Sequence, residues 1–273
     1  TPTVLELGGK SAAVLLEDVD VATFAKNLPY LGFTFTGQNC FIHSRIVVNK
    51  NRYDEVLAAI CESAATIKVG DPFDDQTQNG PLISQAHRDK VESYIASGIS
   101  EGARIAFGGN RPEHLSKGWY LNPTIFADAT NQMRISREEI FGPVISVISA
   151  ENDQAAIAIA NDSEFGLAGS VWASDEAHAR EVADQIDTGS IGINCFGFNT
   201  SAPFGGRKNS GIGNRSQYRH RIRRSADDSS RNQTKEIACA CDHGRWPCGC
   251  NRSGATGSRS KRGWICKGSI GIR

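Results

Sequence analysis

Residues 45–65 read RIVVNKNRYDEVLAAICESAA, and this stretch decides the fold class. Residues 45–48 are short and β-branched, which predicts a strand. Residues 51–65 then put Tyr53, Val56, Leu57, Ile60, Cys61 and Ala64 on one side of a 3.6-residue repeat, which predicts an amphipathic helix. The alternation recurs outward from there. Residues 21–28 predict a helix before this unit. Ser84 is an N-cap candidate for a helix running through Val91, Tyr94 and Ile95. A Gly108-Gly109 turn and an extended stretch over 119–126 follow. Residues 144–149, 167–172 and 190–194 predict strands, with helices over 153–160 and 175–186 between them. Strands alternating with helices point to an α/β fold, an open, mostly parallel twisted sheet with helices on both faces.

The net charge of zero conceals two unlike segments. Residues 1–214 hold 16 of the 30 Lys+Arg and 26 of the 30 Asp+Glu, a net −10; residues 215–273 hold the other 14 and 4, a net +10. Three cysteines, Cys40, Cys61 and Cys195, are scattered through the acidic body, which fits a reducing, cytoplasmic setting rather than a disulfide framework. No apolar run approaches the ~20 residues a membrane helix needs, so no membrane association is expected. The chain opens Thr-Pro-Thr-Val-Leu-Glu without initiator Met, basic segment or signal region, and reads as cut from the middle of a longer protein.

Four segments combine chemistry-bearing residues with backbone freedom. Glu6-Leu7-Gly8-Gly9-Lys10 follows the apolar pair Val4-Leu5; two glycines there allow a close backbone approach, and Glu6 can face a site or simply be solvated at a strand-to-loop turn. In Gly37-Gln38-Asn39-Cys40, polar neighbours let Cys40 face a cleft; the alternative is a small buried apolar residue. Glu138-Glu139-Ile140-Phe141-Gly142-Pro143 precedes the strand over 144–149. A carboxylate there can accept hydrogen bonds from a ribose diol, or be half of a surface pair. The Gly-rich loop PFGGRKNSGIG (203–213) lacks the G-x-x-x-x-G-K-[ST] pattern of a phosphate loop.

In this order and spacing, ELGGK, FTGQNC, EEIFGPV and PFGGRKNSGIG closely resemble the motifs of the NAD(P)-dependent aldehyde dehydrogenase superfamily, over residues 1 to about 214. The resemblance implies an aldehyde dehydrogenase catalytic domain over 1–214 that oxidises an aldehyde substrate to a carboxylic acid with NAD or NADP. Cys40 would be the nucleophile, forming a thiohemiacetal and then a thioester. Glu6 would be the general base that hydrolyses the thioester. Glu139 would hold the nicotinamide ribose, with Phe141 packed beside it. Leu7 would offer its backbone to the carboxamide, and Phe204 would line the substrate pocket. Cys61 is expected on a helix core face, Cys195 in a loop near the substrate mouth, and His43 packs rather than acts. The family's dinucleotide-binding half precedes ELGGK, so this chain is expected to be a fragment without that half, inactive alone. Chemistry needing only nucleophile and base, such as ester hydrolysis at Cys40, is a further reading.

The pattern stops near Asn214. Residues 215–273 contain no Val, Leu, Met or Phe, which predicts an unstructured, basic, Cys-rich tail. Family members carry a Glu and then a subunit-joining strand after SGxG and form homo-oligomers. Here Arg215-Ser216 follows Asn214, and the tail reads like out-of-frame coding sequence. The competing reading is a binding module. Cys239, Cys241, His243, Cys248 and Cys250 could chelate zinc, and the +10 charge could attract nucleic acid, but the one-residue Cys gaps are tight and no apolar residues support such a fold. No metal and no nucleic-acid partner are expected.

Overall fold

The computed structural model describes residues 5–197 and 204–212, together with two short strands, His220–Arg223 and Ile237–Ala238. The chain divides into two units, Thr1–Ala240 and Cys241–Arg273, and the second lies outside the described residues. In chain order the strands are β1 Ala12–Leu15, β2 Arg45–Asn49, β3 Arg104–Phe107, β4 Thr124–Ala127, β5 Val144–Ala150, β6 Phe165–Gly166, β7 Ala168–Trp172, β8 Ser190–Ile193, β9 Arg207–Lys208, β10 His220–Arg223 and β11 Ile237–Ala238. The helices are α1 Val21–Phe33, α2 Tyr53–Ala65, α3 Gln85–Ser100, the single turn α4 Arg134–Arg137, α5 Asp153–Asn161 and α6 Glu176–Ala183.

Among the described residues the main sheet runs β11-β10-β8-β7-β1-β2-β5-β4-β3. Every pairing is parallel except β3 with β4. Helices cover both faces, and β1 shows why. Ala13 and Leu15 pack with Phe24 and Leu28 of α1 and Ile60 of α2, whereas Ala12 and Val14 pack with Ile157 of α5 and Val182 of α6. A strand buried on both faces needs apolar residues at every position, and all four of its residues are buried. No helix among the described residues is long and apolar enough to cross a membrane.

β1, at the middle of the sheet, is absent from the sequence reading. Ala12-Ala13-Val14-Leu15 has neither alternation nor β-branched enrichment, so only its neighbours make it a strand. ELGGK therefore leads into a strand instead of closing one. Helix α1 runs five residues past the predicted end, through Pro29. Pro29 has no N–H to give the Ala25 carbonyl four residues back. The Ser63 hydroxyl of α2 donates to that carbonyl at 2.7 Å instead. The predicted N-cap at Ser84 is present, its side chain accepting from the His87 N–H at 3.1 Å. β3 is not among the strands the sequence predicts, and the extended stretch over 119–126 contributes only the start of β4.

Two strands fall within the tail expected to lack structure. β10 pairs with β8, and β11 with β10, with Ile222 opposite Ile237. The main-chain groups along an open strand edge can pair with any extended segment, whatever its side chains. The rest of residues 213–273, including Cys239, Cys241, His243, Cys248 and Cys250, lies outside the described residues.

Candidate active site

Parallel pairing of β1, β2 and β5 aligns their amino ends: Ala12 sits opposite Arg45, and Arg45 opposite Ser146. Each strand is preceded by one of the singled-out segments. Residues 6–10 lead into β1, 37–40 approach β2, and 138–143 lead into β5. Segments scattered over the chain are thus delivered to one sheet edge. This is the edge opposite the carboxyl ends, where open α/β sheets usually bind ligands. A cavity of about 580 Å³, lined by Lys50, Tyr53, Asp128 and Ile148, holds none of these residues.

Gly9 joins the three segments. Its N–H donates to Glu139 Oε1 at 2.9 Å. A Cβ on Gly9 would lie 2.2 Å from the Cys40 carbonyl oxygen, and one on Gly8 would lie 2.5 Å from Glu139 Oε2. At Gly9 the obstacle is backbone, so only glycine fits there; at Gly8 it is the end of the Glu139 side chain. The chain reaches Cys40 through three successive residues with positive φ: Phe35 (53°), Thr36 (58°) and Gly37 (70°). The left-handed region is unfavourable for Phe and Thr, and such strain is held only where surrounding structure fixes it. Here Gly37 lies against Gly142, whose carbonyl oxygen would be 2.2 Å from a Cβ.

Cys40 is half-buried, and its Sγ donates to Asn39 Oδ1 at 3.8 Å. Burial first, then the Glu6 carboxylate and the more weakly acting Glu139, push the thiol pKa up. Main-chain hydrogen bonds from Cys40 and Phe41 oppose them. Exposed Glu6 is therefore within electrostatic reach of the thiol, which rests protonated and needs a base to react. Burial likewise pushes Glu139 up, opposed by the Gly9 N–H and by Lys10. One Glu139 oxygen is pinned, and the other remains an acceptor.

The aldehyde dehydrogenase family model matches residues 1–227. The chain belongs to the aldehyde dehydrogenase family. It is 48% identical over 212 residues to geranial dehydrogenase of Castellaniella defragrans, covering 78% of this chain and 44% of that protein. It is 45% identical to betaine aldehyde dehydrogenase of Brucella melitensis, covering 77% of this chain and 44% of the relative. Among solved structures it resembles Mycobacterium tuberculosis aldehyde dehydrogenase complexed with NAD+, with 50% identity, a TM-score of 0.76, and coverage of 78% of this chain and 44% of that one. The chain thus spans less than half the length of these aldehyde dehydrogenases.

The quoted segments are held by contacts that the motifs alone do not show, and His87, which lies outside them, takes part. Ser210 is fully buried and clasps the Glu6 segment: its hydroxyl donates to the Gly8 carbonyl at 2.6 Å and accepts from the Gly166 N–H at 3.0 Å, and its carbonyl accepts from the Leu7 N–H at 3.0 Å. With its N–H committed, half-exposed Leu7 has its carbonyl to offer. Phe141 is 38% exposed at φ 59°. His87 Nε2–H donates to its carbonyl at 2.7 Å, steadying that strained turn. Phe204 and Cys40 both lie at the margin of the core cluster that contains Phe41 and Phe196.

Cys195 is buried in that same cluster, and Cys61 lies half-buried at its edge on α2. His43 is buried, its ring 4.9 Å from Phe196, and burial pulls its pKa to about 4, which keeps it neutral. The Gly169 backbone offsets that only in part. Lys10, at the end of the Glu6 segment, is buried, and its Nζ has no hydrogen-bond partner among the described residues. Among the described residues no group of three or more His, Cys, Asp or Glu is arranged to hold a metal.

Proposed function

We propose that residues 1–214 carry the nucleophile and general base of an enzyme that oxidises an aldehyde to a carboxylic acid with NAD or NADP. The observation that carries this reading is the convergence on Gly9 of the Cys40 carbonyl and the Glu139 carboxylate, with the charge of Glu6 felt at the Cys40 thiol.

Cys40 rests as a thiol, so its proton must leave as it attacks the aldehyde carbon, and Glu6 is the base in reach. The thiohemiacetal oxygen is stabilised in part by the Cys40 N–H. NAD(P)+, when bound, supplies the hydride acceptor that turns the thiohemiacetal into a thioester. Glu6 then activates the water that hydrolyses the thioester. The residues present fit such a cofactor. Among the described residues Glu139 Oε2 has no hydrogen-bond donor, so it would be left to accept from a ribose hydroxyl. Leu7 would offer its carbonyl to the carboxamide, Phe141 would pack against the ribose, and Phe204 would line the substrate pocket. The chain spans 44% of the length of the Castellaniella defragrans relative, and turnover is expected to need the remainder of that length. The setting is cytoplasmic.

The test completes the chain with the part of the Castellaniella defragrans relative that it does not span. The completed enzyme is expected to reduce NAD in the presence of aldehyde, and Cys40→Ala to abolish turnover. Retained turnover in Cys40→Ala would overturn the assignment. The chain alone is expected to bind NAD weakly or not at all by calorimetry; micromolar affinity would contradict its dependence on a second half.

A further inference from the structure

Lys10 is the one charged residue of the Glu6 segment that this chemistry leaves unused. Its side chain is 2% exposed, and Nζ meets no acceptor among the described residues. An ammonium there has lost its water without a partner to replace it. A purely structural role would be filled better by an uncharged side chain of similar volume. What the lysine supplies that a methionine does not is positive charge.

The groups on which that charge acts are Arg45, Glu139 and Glu138. Arg45 repels it and is already bound to the Lys10, Ile159 and Ala160 carbonyls and to Asn131. Glu138 is exposed and held by Tyr94 and Arg134. Glu139 is the remaining target. Oε1 is bound by the N–H of Gly9, the residue directly before Lys10, and burial favours its neutral form. Exposed Lys90 acts on it in the same sense as Lys10.

We propose that Lys10 is a positioning residue for Glu139: its buried ammonium, one residue beyond the Gly9 N–H that fixes Oε1, holds the Glu139 carboxylate ionised so that Oε2 can accept a ribose hydroxyl. This rests on the cofactor reading of Glu139. A protonated carboxyl would lose acceptor strength and compete as a donor. The buried charge thus lowers stability at one point in exchange for a carboxylate that stays ionised in a half-buried position. Burial also brings the lysine's own pKa down to about 7, which makes its charge experimentally switchable.

The test follows the side-chain carboxyl carbon of Glu139 by NMR in the 13C-glutamate-labelled chain as pH is raised from acid to alkaline. The wild-type signal is expected to show its main step in acid and a second, smaller inflection near pH 7, where Lys10 loses its proton. Lys10→Met is expected to remove that inflection and to raise the main midpoint by about one pH unit. Its urea midpoint is not expected to fall, because no hydrogen bond is lost. A wild-type titration without the second inflection overturns the proposal, even if Lys10→Met does not fold. In the completed enzyme, Lys10→Met is expected to raise KM for NAD at mildly acid pH, where more of Glu139 is then protonated, with little change in kcat. Glu139→Gln tests the cofactor reading separately. An unchanged NAD KM in that variant, with the inflection present, sinks that reading and leaves the Lys10–Glu139 coupling standing.

Discussion

Gly9 lies against Cys40 so closely that no side chain fits between them: a Cβ would sit 2.2 Å from the Cys40 carbonyl oxygen. The obstacle is backbone, which cannot rotate away. Gly9→Ala must therefore separate the segment carrying Glu6 from the one carrying Cys40. The expected cost is about 1–3 kcal/mol in urea unfolding, the usual penalty for overpacking. Unaltered stability would mean the two segments are not held in this contact.

The Glu6 charge opposes thiolate formation at Cys40. Removing it in Glu6→Gln should lower the thiol midpoint and speed alkylation of Cys40 by iodoacetamide at mildly alkaline pH. Mass spectrometry of the Cys40 peptide separates this from the other cysteines. A rate that is unchanged or slower would put Glu6 out of reach of the sulfur.

The same substitution should act in the opposite direction on turnover. In the completed enzyme Glu6→Gln is expected to slow thioester hydrolysis by ~10²–10⁴, the usual weight of a general base. Rapid mixing should then reveal a burst of NADH, itself slowed because the Cys40 proton has lost its base, before a still slower steady turnover. Loss of the burst itself would mean that Glu6 acts chiefly before hydride transfer.

Ser210→Ala removes the donor to the Gly8 carbonyl and the acceptor for the Gly166 N–H. These groups meet at a fully buried side chain, so the loss should cost about 1–3 kcal/mol in urea unfolding. It should also loosen the Glu6 segment, seen as faster amide exchange at Leu7, whose N–H is bound to the Ser210 carbonyl. Unchanged exchange at Leu7 would show that the loop does not hold the segment.

His43 gives the stability a defined pH dependence. Its folded pKa, about 4, lies below the ordinary 6.5, so the unfolded chain binds the extra proton between these values. Its contribution is therefore intact above pH 6.5 and lost progressively as pH falls toward 4, by about 3 kcal/mol in all. Lys10 has the same sign at higher pH: stability should rise between about 7 and 10.5. Urea unfolding across pH, compared between wild type and His43→Gln, isolates the acid limb. An identical acid limb in both would remove His43 as its source.

The sequence by itself determined which residue types stand ready for chemistry and which local elements form. Arg45–Asn49 is a strand because β-branched residues suit an extended, buried chain. Gln85–Ser100 starts where it does because Ser84 caps it, and Glu6, Cys40 and Glu139 each stand beside glycines that permit close approach. Those are local properties, readable within a few residues. Tertiary structure decided what meets what. The parallel register of β1, β2 and β5 brings residues 6–10, 37–40 and 138–143 to one sheet edge, and nothing within any of the three segments encodes that register. Ala12–Leu15 becomes a central strand only because helices cover both its faces. Ser210 reaches Gly8 across 202 residues, and Lys10 is buried only in the folded chain. Hydrogen-bond partners and burial belong to pairs of distant segments, so they come into being only when the chain closes on itself.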